Sequence, residues 1–434
     1  MYLYSTNNSN IRVGLKEAIL KGIPEDNGLY MPHEVPKLDE EFIRGLSSQT
    51  FEEISFAVAK NLLQGAIPDF ELQDIIRKAI NIPAPVVKLD DKTFVLELFH
   101  GPSLAFKDFG ARFMAQVMSY FNRGEERKLT ILVATSGDTG GAVAAGFFQA
   151  PDIEVIILYP SGKVSPLQEK QLTTLGHNIV ALEVNGTFDD CQNLVKQAFL
   201  DTSIISQKRL TSANSINIAR LIPQSFYYFE AYKQIEKEAG SSPIVFAVPS
   251  GNFGNLTAGL LAKRMGLPVH SFIAATNANN VVPEYLKTGD YFPRLSKHTL
   301  SNAMDVGAPS NFSRMLDLYC STWNDIRKDV TGYSFSDEAT KRAMREIDSR
   351  YGYTMDPHGA IGYLALREYQ KAHSCLGIIL ETAHPAKFVE DVEEILGRSI
   401  IVPDSLRMLR GKEKESVKIT SIYEDFKEWL LYRG

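Results

Sequence analysis

Lys107, in the stretch HGPSLAFKDFGARFMAQVM that begins at His100, is a charged residue among apolar ones. At about 100° per residue, a helical wheel turns Lys107 toward Ala111, Met114 and Met118, beside a stripe of Phe106, Phe109, Phe113, Val117 and Phe121. Asp108, Arg112, Gln116, Ser119 and Arg123 gather on a separate polar side, which reads as the outer face. A lysine so placed either snorkels to water or gives up its charge, because an unpaired buried ammonium costs several kcal/mol. The neutral amine is both a base and a nucleophile toward an aldehyde.

Four glycine- or serine-bearing turns could supply anion sites. PSGNFGN, Pro249 to Asn255, lies between the apolar run IVFAV and the helical LTAGLLAKRM, so free amides at a helix start would face a phosphate. It is neither a Walker loop nor a GxGxxG fingerprint, since no GK[ST] follows and its glycines are three apart. SGDTGG, Ser136 to Gly141, occupies the same place after LTILVAT, and its hydroxyls suit a carboxylate. SGKVSPLQEKQ offers Lys163 and Ser165, while NSINIARLIPQ sets Asn217 and Arg220 at helical spacing. Thr382 and His384, in ETAHPAKF, follow the run CLGIIL. Each turn alone is also an ordinary capped connection. A lysine of reduced basicity together with a phosphate cup and a carboxylate cup describes pyridoxal phosphate chemistry.

The elements that must position these residues follow one grammar: an aliphatic run, a glycine-containing turn, then a helical stretch. KLTILVATSGDTGGAVAAGFF, IEVIILYPSGKVSPLQEKQL, NIVALEVNGTFDDCQNLVKQAF and SPIVFAVPSGNFGNLTAGLLAKRMG all obey it. Continuous apolar strands alternating with helices predict parallel sheets buried on both faces, with ligands beyond the strands' carboxyl ends. The segment from about Glu53 to Ile82, including FEEISFAVAKNLLQ, reads as amphipathic helices, and the proline-bearing INIPAPVV marks a boundary. RGKEKES reads as a solvated loop before a final amphipathic helix, SIYEDFKEWLLY.

Composition narrows the function class. A chain of 434 residues with 44% hydrophobic and 23% charged residues is an ordinary globular protein, and its net charge of -6 gives no basic surface for nucleic acid. Three cysteines, Cys191, Cys320 and Cys375, are far apart and fit neither a disulfide framework nor a zinc site. No run is long and apolar enough for a membrane span, no signal-peptide pattern opens the chain, and no HExxH or carboxylate spacing suggests a metal. A cytoplasmic enzyme without nucleic-acid or membrane partners is the expectation.

The chain resembles the threonine synthase family, within the tryptophan synthase β-like group of pyridoxal-phosphate enzymes, over nearly its whole length. HGPSLAFKDFGARF is similar to the family's cofactor-lysine segment, SGDTGGA to its substrate loop, PSGNFGN to its phosphate cup, and AMDVGAPSNFSRM (303–315) to a further characteristic stretch. The opening YSTNN with GLYMP at Gly28 resembles the family's extra amino-terminal domain, although Asn7 and Asn8 stand where the family has arginine-glycine.

This resemblance implies an α/β, fold-type II pyridoxal-phosphate enzyme with two parallel-sheet domains and that extra domain. The expected division is 1–82 amino-terminal, 83–111 with 225–434 cofactor-binding, and 112–224 a smaller mobile unit. It implies that Lys107 carries the cofactor, that Gly251, Asn252, Phe253, Gly254 and Asn255 surround its phosphate, and that Thr382 meets the pyridine nitrogen. Ser136, Gly137, Asp138 and Thr139 are expected to hold a substrate carboxylate, and Lys163, Ser165, Asn217 and Arg220 a substrate phosphate. The implied reaction turns O-phospho-L-homoserine and water into L-threonine and phosphate, in a monomer or homodimer. Threonine or serine dehydratases, β-replacement enzymes such as cysteine synthase and phospho-lyases of the same group are the enzymatic alternatives. A non-catalytic relative that binds O-phosphorylated ligands is the alternative of another class.

Overall fold

In a computed structural model, residues 1–135 and 137–432 are described, apart from the Arg410 side chain. The aliphatic runs are strands of two mainly parallel sheets. The larger has the order Val330–Ser334, Ser271–Thr276, Ile244–Pro249, Leu376–Glu381, Thr93–Glu97, Val86–Asp90, with only the last pair antiparallel. The second has the order Val417–Thr420, Ile179–Asn185, Ile153–Pro160, Leu129–Ala134, Arg209–Ser212, all parallel. Every residue of 129–134, 244–249, 271–276 and 376–381 is buried, as strands covered by helices on both faces require.

The strand Val417–Thr420 departs from the expected division. Residues 417–432 were grouped with 225–434, yet this strand pairs in parallel with 179–185, and the final helix Tyr423–Tyr432 buries Phe426 and Leu430 in the core of the second sheet. The charged RGKEKES loop hides this return, because the strand VKIT has only four residues and carries lysine.

The amino-terminal segment forms a small antiparallel sheet, with Leu3–Ser5 between Arg12–Val13 and Tyr30–Pro32, followed by helices. Helix Phe51–Leu63 opens with a capping box in which Thr50 and Glu53 satisfy each other's backbone amides, and it buries Ile54, Val58, Ala59, Leu62 and Leu63. Arg112 fastens this unit to the helix Lys107–Asn122, donating from Nε to Ala79 O at 3.0 Å and from Nη2 to Lys78 O at 2.8 Å, the free carbonyls at the end of helix Asp69–Ala79.

That docking corrects the outer-face reading of Asp108 and Arg112. Lys107–Asn122 is an interior helix, and Asp108 is fully buried. Glycines let its neighbours in closely. A Cβ on Gly146 would stand 3.0 Å from the Ala111 carbonyl carbon, so helix Asp138–Phe147 crosses here backbone to backbone. A Cβ on Gly110 would stand 2.8 Å from the Arg220 Nε.

Candidate active site

The site is built where the carboxyl ends of 129–134, 244–249 and 376–381 give way to turns. Its anchor is a backbone bond: Phe106 N donates to Thr382 O at 2.8 Å, and Ala105 bridges Ala383, so the start of the Lys107 helix is tied to the end of strand 376–381. Asp108 holds the other side by accepting from Ser103 N at 2.9 Å, and a side chain on Gly101 would collide with its carboxylate. Burial pushes the Asp108 carboxyl up to about 6.

Lys107 is not a snorkelling lysine. Its side chain is 18% exposed, and its Nζ lies 3.9 Å from Asp138 Oδ2. Burial lowers its basicity; Asp138 opposes this, while Lys387 and Arg220 reinforce it. Asp138 is buried at the first turn of helix Asp138–Phe147. Burial would raise its carboxyl, but Lys387 and Lys107 outweigh burial and hold it well below the ordinary carboxylate range.

Lys387 escaped the sequence reading. It follows His384 in the 3-10 turn Pro385–Phe388, is 2% exposed, and pairs with Asp138 Oδ1 at 2.8 Å. It also donates to Ser103 O at 2.7 Å and Gln171 Oε1 at 3.3 Å. The available sequence signal was a lysine two residues beyond the proline of a turn after a buried strand.

The SGDTGG turn is built as a cradle. Thr135 Oγ1 accepts from Gly137 N at 3.0 Å and Gly140 N at 2.9 Å. Gly137 has φ +143°, and a Cβ there would be 2.8 Å from the Gln168 amide, so glycine is required twice over. Thr139 is half-buried beside it, and Ser136 lies outside the described residues. The Asp138 carboxylate is corrected as a holder of a substrate carboxylate: it faces two lysines and takes the Gln168 amide at 2.9 Å, and a second anion would be repelled by it.

Of the four expected phosphate ligands, Arg220 is the one whose charge acts on Lys107. It is 3% exposed on helix Ile218–Leu221, donates Nη1 to Ala213 O at 2.6 Å, and leaves Nε buried without an acceptor. Asn217 is corrected: fully buried, it caps Ala219 N at 3.0 Å and donates to Ile19 O at 2.9 Å, so its amide docks the amino-terminal unit. Lys163 is exposed and acts on Asp190 and Cys191 rather than on the site. Ser165 caps Gln168 N at 3.3 Å and touches the site only through Gln168 and Asp138.

Pro249–Asn255 has the form of a phosphate cup. Phe253 has φ +59°, after which helix Gly254–Arg264 begins, and the amides of Asn252, Phe253, Gly254 and Asn255 donate to no acceptor among the described residues. Such a row of oriented amides at a helix start suits a phosphate. Asn255 shapes the turn rather than lining it, donating to Pro249 O at 2.7 Å and accepting from Ser250 Oγ at 3.0 Å. A Cβ on Gly251 would stand 2.8 Å from the Met304 Cα, so this glycine admits the AMDVG loop. Asn252 accepts from Ser310 N at 3.3 Å and, through its carbonyl, from Asn311 N at 3.2 Å. Thr382 is 6% exposed, and its hydroxyl has no protein partner among the described residues.

AMDVGAPSNFSRM thus clamps the cup, and Arg314 braces the clamp. Fully buried, Arg314 donates to Tyr30 O at 3.0 Å, Ile216 O at 2.6 Å and Asn311 Oδ1 at 2.7 Å, joining the amino-terminal sheet to the site. His358 holds the other end. Its Nε2 accepts from Ala303 N at 3.3 Å, which fixes the proton on Nδ1, toward Asp356.

The donor set fits pyridoxal phosphate: a lysine of reduced basicity, undonated amides at a helix start, and a free hydroxyl at a strand end. Among the described residues no His, Cys, Asp and Glu cluster could hold a metal, and no helix is long and apolar enough to cross a membrane.

Comparison with known proteins agrees with this donor set. Residues 80–377 match the pyridoxal-phosphate dependent enzyme family, 2–80 the threonine synthase N terminus and 359–429 the threonine synthase C-terminal family. Threonine synthase from Haemophilus influenzae is 47% identical over 406 residues, 94% of each chain. The crystal structure of threonine synthase from Escherichia coli superposes with a TM-score of 0.92 at 43% identity, covering 100% of both chains. That of pyridoxal-phosphate-bound threonine synthase from Brucella melitensis gives 0.93 at 34% identity, again covering 100% of both.

Proposed function

This chain belongs to the threonine synthase family of pyridoxal-phosphate-dependent lyases, and from that membership we propose that it converts O-phospho-L-homoserine and water into L-threonine and phosphate, with Lys107 as its reactive amine. The observation that carries this reading is the Lys107 amine, held beside buried Asp138 at the meeting of three turns and kept from full basicity by burial.

When bound, pyridoxal 5'-phosphate supplies the electron sink that lets bonds to hydrogen and to the phosphate leaving group break in turn. The amides of Asn252 to Asn255 would hold the cofactor phosphate, and the Thr382 hydroxyl the ring nitrogen. A neutral hydroxyl cannot keep that nitrogen protonated as an aspartate would. The Lys107 amine would hold the cofactor and, when free, would take the proton from the substrate α-carbon. It returns a proton later, when water has added at the β-carbon and threonine is ready to leave. The amides of Asp138 and Thr139, with helix Asp138–Phe147 behind them and Gly137 N held by Thr135 Oγ1, would receive the substrate carboxylate. Arg220, with its unspent Nε, is the residue of this chain best suited to the substrate phosphate.

The sheet Leu129–Ala134 with its neighbours carries the SGDTGG turn, so we assign 112–224 together with 417–432 to the unit that closes on substrate and excludes water. Hydrogen exchange slowed in both segments by a substrate analogue would support this, and unchanged profiles would count against it.

Two product assays test the reaction. Phosphate and threonine should appear together from O-phosphohomoserine, and both should vanish in Lys107→Ala along with the cofactor's visible band. Ammonia released from threonine without phosphate chemistry would instead select a dehydratase.

A further inference from the structure

Two lysines and one carboxylate meet in the site, and their distances are unequal. Asp138 Oδ1 is 2.8 Å from Lys387 Nζ and accepts from Gln168 Nε2 at 2.9 Å, whereas Oδ2 is 3.9 Å from Lys107 Nζ, beyond a hydrogen bond. Lys387 has three acceptors in Asp138, Ser103 O and Gln171 Oε1, which matches the three donors of an ammonium. Among the described residues Lys107 has no comparable set. One buried carboxylate compensates one buried ammonium, and the better bonded lysine claims it.

We propose that Lys387 is a positioning residue that keeps Lys107 available as a neutral amine, by occupying Asp138 so that this carboxylate does not hold Lys107 as an ammonium. The charged groups that act on Lys107 from the packed elements are Asp138 on helix Asp138–Phe147, Lys387 on the turn Pro385–Phe388, and Arg220 on helix Ile218–Leu221. Asp138 alone favours the ammonium; Lys387 and Arg220 oppose it. The same lysine ties the strand-end turn of the larger sheet to Asp138 on helix Asp138–Phe147 and Gln171 on helix Pro166–Thr173.

This inference rests on Lys107 being the reactive amine. The test reads its protonation directly, apart from turnover. Full-length protein freed of cofactor is treated with a small amine-acylating reagent at a series of pH values, and the Lys107 peptide is quantified by mass spectrometry. In Lys387→Met, the midpoint for Lys107 labelling should rise, with labelling near neutral pH falling about tenfold. Lys387→Arg keeps the cation and should keep the parent midpoint, which a merely structural role would not predict. Asp138→Asn should move the midpoint down, and it carries the test if Lys387→Met fails to fold.

A midpoint unmoved in folded Lys387→Met, or moved equally by Lys387→Arg, would overturn the inference. Loss of the cofactor band in Lys107→Ala, measured on the holoprotein, keeps failure of this idea distinct from failure of the functional reading.

Discussion

Asp108→Asn isolates the electrostatic cost of burying a carboxylate on the Lys107 helix. Asp108 is fully buried, accepts one bond from Ser103 N, and leaves Oδ1 without a partner. Burial raises its carboxyl from the ordinary 3.8 to about 6, against the opposing pull of Ser103, Lys387 and Arg112. The folded state therefore holds this proton more tightly than the unfolded one. Asp108 costs stability where both states are ionised, above about pH 6, and the cost fades as pH falls toward 4. Its full size is about 3 kcal/mol at about 1.4 kcal/mol per pH unit. The asparagine variant carries no such term. Its stability relative to the parent should therefore shrink by about 1.4 kcal/mol between about pH 8 and about pH 5. Urea unfolding at both pH values measures this. The offset at either pH includes whatever the amide gains or loses at the Oδ1 position, but the change with pH does not, and other groups cancel between variant and parent. A difference that stays constant, or that grows on acidification, would refute the argument.

Three other perturbations probe separate parts of the site. Gly146→Leu forces a side chain against the Ala111 backbone, 3.0 Å from the added Cβ, and should destabilise the fold by about 1–3 kcal/mol; an unchanged unfolding midpoint would show that the two helices can part freely. His358→Phe removes the acceptor for Ala303 N, at about 1–3 kcal/mol for an orphaned amide, and should weaken cofactor binding because Ala303 and Met304 back Gly251; equilibrium titration with pyridoxal phosphate reads this, and parent affinity would sink it. Lys163→Ala should leave KM for O-phosphohomoserine within about twofold, since Lys163 is exposed and turned toward Asp190; a large rise would restore it as a phosphate ligand.

Most strands were legible because burial on both faces writes itself as continuous aliphatic runs, as in LTILVA and IVFAVP. Of the strands that escaped in the two large sheets, Arg209–Ser212, Val330–Ser334 and Val417–Thr420 are edge strands, where only one neighbour constrains composition, while Val86–Asp90 and Thr93–Glu97 form an antiparallel pair outside the strand–turn–helix grammar. The wheel singled out Lys107 but misjudged Asp108 and Arg112, and it could not show the charged groups Asp138, Lys387 and Arg220 that meet the Lys107 amine. Periodicity reports how many faces are apolar, and cannot show that a polar face is covered by helix ends whose carbonyls want an arginine, as at Lys78 and Ala79.

The site residues divide along the same line. Gly137 and Gly251 could be read locally, because a positive φ or a close backbone approach leaves its mark within a few residues of the turn. Asp138 and Lys387 could not, since their meaning lies in a pairing across 249 positions of sequence that only folding creates. The SGDTGG turn therefore looked like an anion receptor through and through. Its amides keep that character, but its one carboxylate is turned to the lysines, where it stabilises charge rather than binding it from outside. A local reading finds the backbone's chemistry; a buried side chain's chemistry depends on its partner, and here the partner is a lysine in a segment, ETAHPAKF, that was legible only for Thr382 and His384.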